Sequence, residues 1–387
     1  MTDWLTIWMA VAAAICVGAV LVAHLNLARF RIAPEPAADD SGWSVTVCIP
    51  ARNEQANIEA CVRSVLAAAD ADPASRTVVM VYDDGSTDRT GEILAALVAE
   101  DDRVVPARTE PLPAGWNGKQ HACDAMGRQC DTDWMLFTDA DVRFATDALR
   151  RTRAALVRAS EGGREVALFS AFPRERTGTV GESLIVPLIH VVLMAYLPFG
   201  RMRSTLDPAA SAACGQFILC RRDAWLEVGG HGSIRASMHD GVRLPRIFRR
   251  GGFPTDVFDG TDLAECRMYR GWMETWRGFA KNAYEGLGHP VLLAFITVLH
   301  LGGHVAPWII AGLGIAGFLT LSAAGWAFLA IAIIAQLVLR ARIAARFRQS
   351  WIGAALHPIG QAMLTAIQWW SLVLHVTGRR SWRGRTA

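Results

Sequence analysis

Between residues 44 and 290 short apolar runs alternate with amphipathic stretches, and on either side of that region the chain is almost continuously apolar. "SVTVCIP" (44–50), "TVVMVYDDGS" (77–86), "WMLFTDAD" (134–141) and "VALFSAF" (166–172) read as buried strands bounded by polar turns. "EQANIEACVRSVLAAA" (54–69) reads as a helix with Ile58, Cys61, Val62, Val65 and Leu66 on one face, and a second helix is expected near 88–99. Strands that lead into helices through short crossovers predict an α/β domain with a mostly parallel, Rossmann-like sheet. Such sheets bind ligands at the carboxyl ends of their strands. The first strand ends in "PARNE", the second in "DDGS" and the later one in "DAD", so three polar clusters fall on one edge, within reach of one ligand.

The flanks read differently. Residues 4–23, "WLTIWMAVAAAICVGAVLVA", carry no charge and are long enough to cross a hydrocarbon core of roughly 30 Å. Asp3 precedes the run where a signal peptide would have Lys or Arg, so an uncleaved anchor over 1–30 is expected. Arg29 and Arg31 follow it, which by the positive-inside rule places the next segment in the cytoplasm. A Pro, Ala and Asp rich linker (31–43) leads into the α/β domain (44–290), and apolar helices return over 291–378 before a basic tail at 379–387. The expected location is therefore the cell (inner) membrane, multi-pass, with the α/β domain cytoplasmic. Segments 291–318 and 319–339 are span candidates. Basic stretches at 340–348 and 378–385 flank the block at 351–376, which with His357, Pro358, Gln361 and Gln368 inside it either crosses, re-enters or lies along the interface. "LIVPLIHVVLMAYLPF" (184–199), short for a span, is expected as a buried helix or one dipping into the lipid surface.

Composition sharpens this division. A chain of 387 residues with 52% hydrophobic and 19% charged residues, and a mean hydropathy of +0.24, is part membrane and part soluble domain. The net charge of +3 comes largely from arginines near the apolar segments, so nucleic acid is not an expected partner. Eight scattered cysteines without a C-x-x-C pair fit reduced, buried thiols on the cytoplasmic side.

Asp139 and Asp141, one residue apart at a strand end, cannot both enter a dry core unpaired, because a buried lone carboxylate costs several kcal/mol or shifts its pKa. Two hard oxygen donors with few others nearby suit Mg²⁺ or Mn²⁺ sharing its coordination with substrate phosphates, while solvated carboxylates capping the turn are the plainer reading. Asp83 and Asp84 at another strand tip can accept hydrogen bonds from a base or ribose edge, or simply form an Asp-Gly turn with Gly85.

In order along the chain, "VCIPARNE" (47–54), "VVMVYDDGSTDRT" (78–90), "PAGWNGKQHACDAMG" (113–127), "WMLFTDADVRF" (134–144) and "CGQFILCRRDAWLEVGGH" (214–231) resemble the blocks of the family 2 glycosyltransferases of GT-A fold, over about residues 44–285. With "RMY" (267–269), "RGFAKN" (277–282), an anchor and C-terminal spans, the chain most resembles membrane-bound transferases associated with hopanoid, carotenoid and sphingolipid glycosylation. The resemblance implies a GT-A domain with transmembrane helices at both ends and transfer, with inversion, from a nucleotide diphosphate sugar, expected to be a UDP-sugar. The acceptor implied is a lipid or lipid-like hydroxyl. It implies that Ala51, Arg52 and Glu54 line the nucleotide, that Asp84 meets the uracil with Asp83 beside it, and that Lys119 lies near the base or phosphates. Asp139 and Asp141 would flank the diphosphate, with Asp141 the direct ligand of Mg²⁺ or Mn²⁺. Asp240, in "SMHDGVRLPRIFRRGG" (237–252), falls in the slot of the base, with His239 in place of the usual acid. The plainer alternative is that Asp240 caps a helix that Pro245 makes doubtful. Processive members carry Gln-x-x-Arg-Trp beside the acceptor. Here "RMYRGWMETWRGFAKN" offers Arg267, Arg270, Trp272, Trp276, Arg277 and Lys281, which either contact diphosphate and acceptor or form an interfacial amphipathic helix. The missing motif disfavours a polysaccharide synthase, the absence of a Gly-rich phosphate loop disfavours a nucleotidyltransferase, and retention of both aspartate clusters disfavours a non-catalytic scaffold.

Overall fold

A computed structural model describes residues 4–36, 42–379, 381–382 and 385–386. The middle of the linker expected at 31–43, Asp3, and part of the basic tail lie outside the described residues. Contacts divide the chain into two units. One comprises Phe30–Arg174, Phe199–Arg267 and Arg379–Ala387, the other Met1–Arg29, Glu175–Pro198 and Met268–Gly378.

The first unit is built on an eight-stranded sheet of β1 (Ser44–Ala51), β2 (Arg76–Asp83), β3 (Val104–Pro106), β4 (Trp134–Phe137), β5 (Val142–Phe144), β6 (Leu168–Glu175), β7 (Ile218–Arg221) and β8 (Thr255–Cys266), in the order β3-β2-β1-β4-β7-β6-β8-β5. β1 pairs in parallel with β2 and β4, and β2 with β3. β4 pairs with β7, β6 with β7 and β5 with β8 in antiparallel fashion. β1 is buried along nearly its whole length, as a central strand covered on both faces must be. The Ile58–Asp70 helix buries Ile58, Cys61, Val62, Val65 and Leu66, the face its periodicity indicates.

Two expected elements change length for local reasons. The helix read from residue 54 starts at Ile58, because the Glu54 carbonyl closes a turn on the amides of Asn57 and Ile58 at 2.8 and 2.9 Å. The amides of Asn53, Glu54 and Gln55 bond instead to the side chains of Ser86, Thr90 and Asp88. The strand read as continuous into "DAD" stops at Phe137. Thr138 Oγ1 donates to the Gln216 carbonyl at 2.7 Å, and the Asp139 carbonyl accepts from the Val142 amide at 3.2 Å, which lifts both aspartates out of the sheet. The helix Asp240–Arg250 forms in spite of Pro245. Pro245 has no N–H to offer the Gly241 carbonyl, and that carbonyl accepts from the Ala213 amide at 2.7 Å.

In the second unit three helical segments among the described residues are long and apolar enough to cross a membrane: Trp4–Arg29, Pro290–Ile315 and Ala323–Arg346. Trp4–Arg29 meets Ala323–Arg346 through small buried residues, Ala12, Ala13 and Cys16 against Ala332 and Ala335, which lets the helix backbones approach closely. The 291–318 block is interrupted by a π-helical turn at Leu299–Val305, whose Gly303 carbonyl accepts from Gln336 Nε2 at 3.2 Å. The last block splits into Trp351–Ala355 and His357–Val376. The second of these buries His357, Gln361, Thr365, Gln368 and Ser371 and exposes Ile359, Trp369, Trp370 and Val373, an inside-out pattern suited to lipid and unsuited to water. Residues 184–196 belong to this unit, as parts of the short helices Val180–Ile185 and Leu188–Tyr196.

Candidate active site

The tips of β1 and β2 are laced into one rim. Ala51 lies opposite Asp83, and its carbonyl accepts from the Asp84 amide at 2.9 Å. Asn53 adopts φ 54°, a left-handed conformation that Asn tolerates better than most residues, and its Oδ1 accepts from the Thr87 amide at 2.8 Å. Arg52 reaches across, donating from Nη1 to the Asp84 carbonyl with Nη1 3.6 Å from Asp84 Oδ2. Asp83 serves the turn: its Oδ1 accepts from the Ser86 amide and hydroxyl at 2.9 and 2.5 Å. Asp84 and Glu54 are both buried, and Glu54 accepts from Asn57 Nδ2 at 2.9 Å.

Lys119 stands at the centre of the charged groups. Asn117 caps the Gly118–Gln129 helix, its side chain accepting from the amides of Lys119 and Gln120, which places Lys119 in the first turn. From there Lys119 Nζ lies 2.7 Å from Asp139 Oδ1 and 2.9 Å from Asp240 Oδ2. Burial opposes the ammonium, but the two carboxylates outweigh it and hold its pKa well above the ordinary value. Asp240 occupies the first position of its helix, not the cap, which His239 holds without a side-chain capping bond to the helix amides. Burial works against its charge as well, yet Lys119, His239 and His231 hold Asp240 ionised down to about 2. Its Oδ1 also accepts from the Gly241 amide at 2.7 Å.

The surrounding packing leaves Asp240 little room. A Cβ on Gly215 would sit 2.5 Å from Asp240 Oδ1, so only glycine allows this approach. The loop carrying Gly215 is tied down by Ser170, whose hydroxyl donates to the Phe217 carbonyl and accepts from the Cys214 amide, each at 2.8 Å. Asn117, Gly215 and Asn53 were not singled out from sequence. Asn117 had a legible signal, an Asn directly ahead of a helix, whereas the role of Gly215 depends on a partner distant in the chain.

Asp141 is the group most out of balance. Its Oδ1 is buried with no hydrogen-bond partner, and burial, followed by the charges of Asp139 and Glu54, pushes its pKa up to about 7. An orphaned carboxylate oxygen beside two further carboxylates is the condition a cation relieves. Among the described residues no group of three or more His, Cys, Asp or Glu side chains closes around an ion. Two carboxylates completed by a substrate's phosphates and water are the donor set by which Mg²⁺ or Mn²⁺ is held, so the residues fit such an ion.

Arg267 follows β8 directly in the sheet unit, whereas Arg270, Trp272, Trp276, Arg277 and Lys281 belong to the helical unit. There the helix Trp272–Ala280 is joined to its unit through the Gly271 amide, which donates to Glu182 Oε1 at 2.6 Å. Trp272 and Trp276 meet edge to face at 5.4 Å, and Arg277 is exposed.

Residues 46–229 match the family model described as Glycosyl transferase family 2. A 4,4'-diaponeurosporenoate glycosyltransferase of Staphylococcus aureus strain MRSA252 is 30% identical over 271 residues, which cover 68% of this chain and 67% of that protein. The strain USA300 protein of that name is 29% identical over 270 residues, with the same coverage. Among solved structures, a mannosyltransferase from Pyrobaculum calidifontis in complex with GDP-Man and Mn²⁺ superposes with a TM-score of 0.54 at 17% identity, over 96% of this chain and 99% of that one. That likeness establishes the fold, an α/β GT-A domain accompanied by apolar helices.

Proposed function

The chain belongs to glycosyltransferase family 2, and from that premise we propose that it is an inverting, metal-dependent enzyme moving a sugar from a UDP-sugar to a lipid hydroxyl at the cytoplasmic membrane face. The observation that carries this reading is the meeting of Asp139, Lys119 and Asp240, which brings the aspartate motif and the base slot together at one ammonium. Ala51, Arg52, Glu54 and Asp84, with Asp83 shaping the turn, line the nucleotide. Asp141 and Asp139 hold Mg²⁺ or Mn²⁺, which when bound offsets the negative charge that collects on the leaving diphosphate. Asp240 accepts the proton of the acceptor hydroxyl as its oxygen bonds to the anomeric carbon and the bond from that carbon to the diphosphate oxygen breaks. The helix N-terminus at Asp240 favours the ionised form such a base needs. A lipid-like acceptor is supported by the carotenoid-derived compound in the relatives' name and by the apolar helices. Arg267, Arg270, Trp272, Trp276, Arg277 and Lys281 are the residues proposed to meet diphosphate or acceptor.

The test is turnover by detergent-purified protein of UDP-sugars, with GDP-mannose as the competing donor, against a panel of membrane lipids and carotenoid alcohols and acids. Transfer from a UDP-sugar to a lipid hydroxyl is the expected result. Loss of the general base in Asp240→Asn is expected to lower transfer by about 10²–10⁴-fold with UDP binding retained. Unchanged transfer in that variant would remove Asp240 from the chemistry, and turnover of GDP-mannose alone would overturn the donor assignment.

A further inference from the structure

Lys119 is engaged more heavily than a lysine serving only to touch a nucleotide. Two of its three N–H groups meet carboxylates at 2.7 and 2.9 Å, and the Gly215 carbonyl lies 3.5 Å away. One of those carboxylates, Asp139, is a proposed metal ligand, and the other, Asp240, is the proposed base. Asp240 has both oxygens engaged, Oδ1 by the Gly241 amide and Oδ2 by Lys119, so its charge is neutralised where an acceptor hydroxyl would need it. A divalent ion and an ammonium on the same Asp139 carboxylate repel each other and compete for its charge.

Resting on the metal-dependent reading above, we propose that Lys119 is the resident counter-cation of the donor-free site. It clamps Asp139 to Asp240 until the metal and the nucleotide diphosphate arrive, then exchanges onto the phosphates. The exchange matches charge at every step. Asp139 would be left to the metal, the ammonium of Lys119 would pair with the anionic oxygens of the diphosphate, and Asp240 would keep its helix amide and gain a free oxygen for the acceptor. Binding order follows from this: the acceptor meets an unmasked base only once the donor is seated, which guards against unproductive acceptor binding. Lysine suits the task better than arginine, because a point charge on a flexible four-carbon stem releases one carboxylate at a time, whereas a guanidinium fork binds in a fixed bidentate geometry. This chain has two lysines, Lys119 and Lys281, among 39 basic Lys and Arg residues, so the choice at 119 runs against its own usage.

The decisive measurement is Mn²⁺ binding to the purified enzyme without nucleotide, read from the electron paramagnetic resonance signal of free Mn²⁺. Removing the competing ammonium in Lys119→Met is expected to tighten Mn²⁺ binding by about tenfold or more, while UDP binding in the presence of Mn²⁺ weakens. A variant that binds Mn²⁺ no better than wild type overturns the exchange and leaves Lys119 a plain phosphate ligand. Should the variant fail to fold, the wild type carries the test: ¹⁵N-labelled lysine gives two side-chain signals, which Lys281→Arg assigns. Mg²⁺ with UDP is expected to move the Lys119 signal, and an unmoved signal overturns the proposal. Wild type showing no UDP-dependent Mn²⁺ binding at all would sink the transferase reading itself, whereas normal wild-type binding with an unaltered Lys119→Met affinity sinks this inference alone.

Discussion

Asp141 shows how one side chain can be poor for stability and necessary for chemistry. A carboxyl whose folded pKa is raised from 3.8 to about 7 stabilises the fold only while protonated. That contribution is complete below about pH 4 and is lost as the pH rises through about 7. The metal-free protein is therefore expected to melt at progressively lower temperature across this window, and Asp141→Asn to flatten the decline, most clearly at its upper end. Melting curves at a series of pH values check this; an equal slope in wild type and variant would show that Asp141 is not the strained group. The same variant is expected to lose Mn²⁺ binding, since the amide cannot supply the missing charge. Asp240 shows the opposite balance, because Lys119 and the helix amide stabilise its charge in spite of burial.

Among the helices and turns, capping places the central lysine. Asn117 fastens the start of the Gly118–Gln129 helix and donates from Nδ2 to Met238 Sδ at 3.0 Å, two residues before Asp240. Asn117→Ala is expected to cost about 0.5–2 kcal/mol of stability. Because the helix start and the Asp240 loop are both loosened, transfer should fall further than the loss of folded protein explains. Asn117→Asp keeps the cap and should recover most of the stability but not the Met238 contact. Thermal melts paired with turnover numbers separate the two effects, and a variant whose turnover per folded molecule equals wild type would confine Asn117 to a structural role. The neighbouring turn is fastened similarly, with the Gly232 amide donating to Asp124 Oδ1 at 2.8 Å and Trp225 Nε1 donating to the buried His231 at 3.2 Å.

Across the full chain, two kinds of interior coexist. The sheet unit buries a mainly apolar core in which buried charges such as Asp256, paired with Arg164 and Arg203, are the minority, while the helical unit buries glutamines and histidines and turns leucine, isoleucine and tryptophan outward. Membranes washed at high salt or alkaline pH are accordingly expected to retain the protein, with detergent needed to release it; recovery in the wash would count against spanning helices. A reporter fused after Arg31 is expected to report the cytoplasmic side, and a periplasmic signal would reverse the proposed orientation.

Much of this was determined by local pattern. Hydrophobic periodicity is a property of neighbouring residues, so β1 and β2 were legible as strands and the Ile58–Asp70 helix with its buried face, as were the long apolar segments. The strand-end rule likewise assigns Asp84, Asp139 and Asp141 to one rim from the sequence alone. What the chain alone did not disclose depended on partners remote in sequence. Pro245 was compatible with a helix because Ala213 satisfies the carbonyl that proline leaves open. Residues 184–196 joined the apolar helices because burial against those helices, not their place in the chain, decided where they pack. The contact of Lys119 with Asp139 and Asp240 exists because three segments converge and Gly215 leaves space for them. Local periodicity carries no information about such convergence; only the packed tertiary structure decides which distant charges come within bonding distance.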